Sequence, residues 1–202
     1  ILAQYGVKHE EITLDQLAIP GFCQNGAERC YYCKYALFTK IKEAAQKQGI
    51  SRVADGANTD DENDYRPGMR ATAELGILSP LRSAGFSKLD IREASKELGI
   101  FTWNKPSYAC LASRIPYGEE ITAEKLAMVE RAEQALLDMG FKEMRVRCHG
   151  KVARIEVAQN DMEKVFSCRA EIAAAVKRAG FLYAALDLEG FRSGSLNAAL
   201  AK

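Results

Sequence analysis

The chain has 202 residues, 48% hydrophobic and 27% charged, and its 28 Lys and Arg nearly balance 27 Asp and Glu, for a formal net charge of +1. That length can bury one large core or two small ones, while the near-neutral charge excludes a nucleic acid held by bulk electrostatics, so any anion site must be local. No apolar run approaches the roughly 18 residues of a membrane span and no basic-then-apolar leader opens the chain, so the expectation is a cytoplasmic protein with no membrane partner.

Ile1-Leu2-Ala3-Gln4-Tyr5-Gly6-Val7 reads as the last turn of a helix closed by Gly6, followed by a strand from His9 to Leu14. A helix end with no helix before it points to part of a longer protein. Asp15 to Glu28 is a loop, with Pro20-Gly21 and Asn25-Gly26 as turn signals. Arg29 to Gln48 is an amphipathic helix with an apolar stripe of Tyr31, Tyr35, Leu37, Phe38, Ile41 and Ala45. Ile50 to Ala54 is a short strand running into the polar loop Asp55 to Asp61, the edge at which an open α/β sheet binds ligands. Pro67 to Leu75 reads as a short helix, Ile77 to Pro80 as extended, and Ser87 to Leu98 as a helix capped by Ser87 with Asp90 in its first turn. This alternation predicts a mostly parallel sheet.

Phe101 to Gly118 lacks periodicity and links this half to a second. There the pattern predicts helix Thr122 to Met139, strands Glu143 to Cys148 and Val152 to Ala158, helix Asp161 to Ala179, strand Leu182 to Leu188 and a surface tail from Phe191. Met144, Val146 and Cys148 alternate with Arg145, Arg147 and His149, the period of a half-covered strand, so both arginines share one face.

Six cysteines at irregular spacing suit a reducing compartment with free or metal-bound thiols. Cys30 and Cys33 form a C-x-x-C pair on the first turn of their helix, at the positive end of its dipole, which favours metal or redox chemistry over incidental burial. A thioredoxin-like pair expects an apolar strand directly before the motif, and a polar loop stands there instead. Structural zinc needs four ligands, and with only His9 and His149 as histidines the second pair is missing. Three cysteines, Cys110 being the third, suit a four-iron cluster with one open iron. Arg145 and Arg147, with Arg114 near Cys110, offer forked donors for phosphate; the alternative is a solvated ion-paired face that includes Glu156. Asp55, Asp60, Asp61 and Asp64 could hold magnesium on a nucleotide phosphate or be simply solvated. Trp103 is assigned to packing, and Cys23, Cys148 and Cys168 to structural roles.

Five ordered motifs add a resemblance: Arg29-Cys30-Tyr31-Tyr32-Cys33-Lys34; Asp55-Gly56-Ala57-Asn58-Thr59-Asp60-Asp61; Asp64-Tyr65-Arg66-Pro67-Gly68-Met69-Arg70-Ala71; Lys105-Pro106 through Cys110 to Gly118; and Asp187 to Ser195. Together they resemble the LarE family of ATP-dependent sulfur transferases, in the PP-loop ATP pyrophosphatase superfamily, across nearly the whole chain. The resemblance implies an α/β protein: the later part of a Rossmann-like PP-loop domain over 1–106, then a small α+β domain over 107–202. It implies adenylylation of a carboxylate of pyridinium-3,5-biscarboxylic acid mononucleotide, then sulfur insertion, in nickel-pincer nucleotide biosynthesis. Cys30, Cys33 and Cys110 would bind a [4Fe-4S] cluster, and Glu133 falls at another active-site position. Asp55, Asn58, Asp60 and Arg70 would serve ATP with magnesium, while Ser113, Arg114, Arg145 and Arg147 would serve the substrate.

The partners so implied are the small nucleotide, a sulfide donor and further copies of the chain. One branch of the family sacrifices a single cysteine near Ala109-Cys110, whereas the C-x-x-C pair fits the cluster branch. The alternatives are sacrificial transfer from Cys110, tRNA thiolation, which would need a basic stripe, and a non-catalytic metal-binding module. The superfamily's Ser-Gly-Gly-x-Asp-Ser loop is not among these residues, and the family layout places it before Ile1. The three sulfurs are expected within about 6 to 7 Å of one another, between the two halves, as each must bond one corner iron.

Overall fold

The computed structural model describes residues 1–63, 67–105, 109–192 and 195. Asp64, one of the acidic candidates, lies outside them, as do Tyr65, Arg66, Pro106, Ser107, Tyr108, Ser193, Gly194 and the tail from 196. Two compact units divide the chain: Ile1–Phe22 with Glu28–Pro106, and Cys23–Ala27 with Ser107–Lys202. Among the described residues no helix is long and apolar enough to cross a membrane.

The first unit is helical. Gly6 sits at φ +62°, and Val7 N–H donates to Leu2 C=O while Gly6 N–H donates to Ala3 C=O, the crossed pair of a Schellman helix end. Helix α1 is Arg29–Lys47, and of the expected apolar stripe it buries only Phe38; Tyr35 is exposed. Helix α2, Pro67–Glu74, opens on a proline, whose missing N–H costs nothing at that position. It packs on α1. A Cβ on Gly68 would stand 2.7 Å from the Lys34 side chain and 3.3 Å from the Cys30 carbonyl oxygen, so glycine lets α2 approach the start of α1. Helix α3 is Pro80–Ser83, and α4 is Lys88–Glu97 with the expected cap in full: Ser87 Oγ accepts from Asp90 N–H, and the Asp90 carboxylate accepts from Ser87 N–H.

The mostly parallel sheet expected here reduces, among the described residues, to one parallel bridge between Ala54 and Leu78. Leu78 N–H donates to Val53 C=O and Asp55 N–H to Leu78 C=O. His9 to Leu14 forms no strand: alternating polarity supplies a face, whereas a strand also needs a partner for its ladder.

The second unit runs α5 Ala123–Asp138, β1 Met144–His149, β2 Val152–Val157, α6 Met162–Ser167, α7 Arg169–Arg178 and β3 Tyr183–Leu186. Thr122 caps α5 through its side chain. Strands β1 and β2 pair antiparallel across a turn in which Gly150 holds φ +57°, and β3 adds to β2 in parallel. The single helix expected from Asp161 to Ala179 is broken at Cys168, where φ is −110° and both the backbone N–H and the thiol donate to Lys164 C=O.

Met144, Val146, Cys148, Ala153, Ile155 and Val157 are almost completely buried, with Val129, Ala132 and Leu136 of α5 and Ile172 and Val176 of α7. Burial, more than any charge nearby, holds Cys148 above the ordinary thiol range, as its place in this core requires. The opposite face corrects the reading of β1 as a half-covered strand. Arg145, Arg147 and Glu156 lie there at 9%, 5% and 0% exposure, so both faces of the hairpin are enclosed.

Candidate functional site

Cys30 and Cys33, three residues apart on the first turn of α1, lie on one side of the helix. Cys30 is exposed and Cys33 half-buried, and Gln16 Nε2 donates to Cys33 Sγ at 3.2 Å. Arg70, from α2, pairs with Glu28 just before α1, stacks its guanidinium 4.2 Å from the Tyr31 ring centre and reaches Glu74 at 3.6 Å. Tyr31 donates to Glu74 at 2.6 Å, which raises the phenol above its ordinary pKa.

Asp55, Asn58 and Asp60 share the loop after the Ala54 bridge, and their side chains serve its backbone. Asp55 Oδ1 accepts from Ala57 N–H at 3.1 Å and from Ser79 Oγ at 2.8 Å. Asn58 Oδ1 accepts from Asp60 N–H at 3.1 Å, and Asp60 accepts from Lys88 N–H at 2.9 Å, at the start of α4. A shallow cleft of about 330 Å³ elsewhere in this unit, lined by Glu10, Thr13, Lys40, Glu43 and Gln48, contains none of the sequence-predicted site residues.

The second unit gathers most of the others. Cys110, exposed, leads into the 3-10 turn Leu111–Arg114. Its carbonyl accepts from Ser113 N–H at 2.9 Å, from Ser113 Oγ at 2.7 Å and from Arg114 Nη1 at 3.2 Å. Arg114 is 1% exposed and forks onto Glu133 of α5, with Nε to Oε1 at 2.8 Å and Nη2 to Oε2 at 2.9 Å. Glu133 also accepts from Val146 N–H in β1 at 2.9 Å. Arg147 forks likewise onto Glu156, at 2.9 and 2.8 Å, and its Nη1 donates to Ser113 C=O at 2.7 Å. Arg154 reaches Glu156 at 3.0 Å and Asp187 at 3.6 Å.

Arg145 has its guanidinium carbon 4.9 Å from the Phe191 ring centre and its Nη1 on Met144 C=O. Burial, then the positive charge of Arg114, lowers its pKa from the ordinary value. Among the described residues, Arg114, Arg145, Arg147 and Arg154 thus stand in one network with Glu133, Glu156 and Asp187.

Two parts of this arrangement went unread in the sequence. Glu156 stood only as an alternative partner, although the β register sets it opposite Arg145 and two residues from Arg154. Asn25 was read as a turn residue, and its φ of +52° agrees with that. Its side chain, fully buried, also donates to the carbonyls of Ile115 at 3.2 Å, Pro116 at 2.7 Å and Glu119 at 2.9 Å, on the C-terminal side of the Cys110 turn.

Cys30 and Cys33 belong to the first unit and Cys110 to the second. Among the described residues no three His, Cys, Asp or Glu side chains are gathered to hold a metal ion. The donors themselves are of the kind an iron–sulfur cluster takes: thiols, two of them three residues apart on one side of a helix and a third exposed.

No family model matches the chain. An uncharacterized protein of Synechocystis sp. is 42% identical over 199 residues, 98% of this chain and 74% of that protein. The pyridinium-3,5-bisthiocarboxylic acid mononucleotide synthase of Lactiplantibacillus plantarum is 37% identical over 199 residues, 98% of this chain and 72% of its own length. An uncharacterized protein of Methanocaldococcus jannaschii is 34% identical over 186 residues, 92% of this chain and 73% of its own.

Proposed function

The chain belongs to the LarE family, that of the pyridinium-3,5-bisthiocarboxylic acid mononucleotide synthase, and from that premise we propose that it inserts sulfur into a carboxylate of pyridinium-3,5-biscarboxylic acid mononucleotide. The carboxylate oxygen attacks the α-phosphorus of ATP and pyrophosphate leaves. A sulfur nucleophile then adds to the activated carbonyl carbon and expels AMP, so that oxygen is exchanged for sulfur without net oxidation. A [4Fe-4S] cluster held by Cys30, Cys33 and Cys110 would supply an extra sulfide when bound.

The chain's own residues do the rest. Arg145 holds the substrate phosphate beside the Cys110 turn, while Arg147, forked onto Glu156, fixes that turn through Ser113 C=O. Ser113 and Arg114 border the same turn, and Glu133 anchors it to α5 and β1. Asp55, Asn58, Asp60 and Arg70 serve ATP with magnesium in the first unit, and the active protein is a homo-oligomer of the cytoplasm.

The observation that carries this reading is an exposed thiol at the start of a turn whose neighbouring carbonyls are held by buried arginines. A nucleophile or a ligand needs access for its sulfur together with a fixed backbone beneath it. A second reading, sacrifice of Cys110 itself, is favoured by the exposure of that thiol in a unit that contains neither Cys30 nor Cys33.

Iron and acid-labile sulfide, measured on anaerobically purified protein and on Cys33→Ala, decide between the two. About four irons, lost in the variant, is the expected result. Protein without iron that turns over once and becomes lighter by one hydrogen sulfide would assign the sulfur to Cys110 alone.

A further inference from the structure

We propose that Arg114 is a positioning residue that aims Cys110, and not a contact to the substrate. The proposal rests on the reading of Cys110 as the residue that carries or binds the transferred sulfur. The guanidinium has five N–H donors on three nitrogens, set in one plane with fixed directions. Its Nε–Nη2 edge is spent on both oxygens of Glu133. Its Nη1 points the other way, to Ala109 C=O at 2.9 Å, Cys110 C=O at 3.2 Å and Ser113 Oγ at 3.1 Å. Both edges are therefore engaged by the protein itself, and the side chain is 1% exposed. A substrate phosphate would have to displace the Glu133 carboxylate or the two loop carbonyls.

These contacts place Arg114 between a fixed point and a reactive one. Glu133 is fixed twice, by its place on α5 and by Val146 N–H in β1. Ala109 and Cys110 are exposed. Arg114 thus transmits the position of the core to the backbone on either side of the thiol. Arg147 adds a parallel link from Glu156 to Ser113 C=O, and Asn25 grips the other end of the turn at Ile115, Pro116 and Glu119. Arginine is required because one planar group must bond in two opposed directions; a lysine ammonium pairs with Glu133 or with the carbonyls, and cannot span both.

The test is Arg114→Lys in the intact protein, with Glu133→Gln as a second variant that keeps an oxygen for Arg114 but weakens the fork. Amide hydrogen exchange across Ala109 to Ser113, measured without substrate or cluster, is expected to speed up by ~10-fold or more in both, while the β1 and β2 amides keep their protection. With pyridinium-3,5-biscarboxylic acid mononucleotide, kcat is expected to fall by ~10-fold or more and KM to stay within about twofold, because misplacing a reacting group is felt in the chemical step. Unchanged exchange together with a raised KM and an intact kcat would make Arg114 a substrate contact and overturn the proposal. If Arg114→Lys does not fold, Glu133→Gln decides by the same exchange measurement. A wild-type protein that never thiolates this nucleotide refutes the functional reading instead, and leaves the exchange result to judge the positioning role.

Discussion

The two units of this chain bury their side chains to different depths. In the second, a hairpin is enclosed on both faces: Val146, Cys148, Ala153 and Val157 are fully buried on one, and Arg147 and Glu156 nearly so on the other. In the first, the strand-like pieces meet, among the described residues, in one bridge, and Ile50, Leu78, Leu98 and Phe101 are exposed. The lesson is where each unit can carry precise chemistry. A polar network removed from water is electrostatically strong and geometrically fixed, and the second unit has one under Cys110. The first unit offers Cys30 and Cys33 on a helix whose surrounding contacts, those of Gln16, Arg70, Glu28 and Tyr31, are largely exposed.

If that contrast is right, the largest loss comes from Glu156. Its replacement by Ala strands the buried Arg147 without its carboxylate, while the partly exposed Arg154 keeps Asp187, and is expected to cost about 3–5 kcal/mol by denaturant unfolding. Leu136→Ala, in the same unit's core, is expected to cost about 2–5 kcal/mol, whereas Leu98→Ala in the first unit stays within about 0.5 kcal/mol. Equal losses for those two would erase the comparison. Asn25→Ala removes the amide that donates to the Ile115, Pro116 and Glu119 carbonyls just after the Cys110 turn; about 1–3 kcal/mol is expected, together with faster exchange at Gly118, whose N–H donates to Asn25 C=O.

The smallest effect is pH-dependent. Burial, then Arg154, holds His149 below the ordinary imidazole range. The folded state therefore releases a proton that the unfolded chain still binds, so stability falls as pH drops through about 6.5 toward the lowered folded value, and levels off beneath it. His149→Asn is expected to flatten that part of a stability–pH profile.

How much of this was legible in the sequence follows from range. The span of α1, the Ser87–Asp90 capping box and the Gly150 hairpin were readable, because caps, periodicity and turn residues act over a few positions. His9 to Leu14 and the broken helix at Cys168 were not, since strand pairing and a thiol turning back on Lys164 depend on partners that a local pattern does not contain. At the site, residue types pointed to the chemistry: three cysteines for sulfur or iron, and arginines for phosphate. Their wiring stayed hidden. Nothing in the spacing of Arg114 and Arg147 says that each would fork onto a buried glutamate and turn its Nη1 to the Cys110 turn, because that choice is made by α5, β1 and β2 packing together.

The most direct test of the account is the mass of the nucleotide after incubation of the protein, and of Cys110→Ala, with Mg-ATP, sulfide and pyridinium-3,5-biscarboxylic acid mononucleotide under anaerobic conditions. The account predicts exchange of a carboxylate oxygen for sulfur with the wild-type protein and none with the variant. The same thiolated product from Cys110→Ala, or none from the wild type, would contradict it.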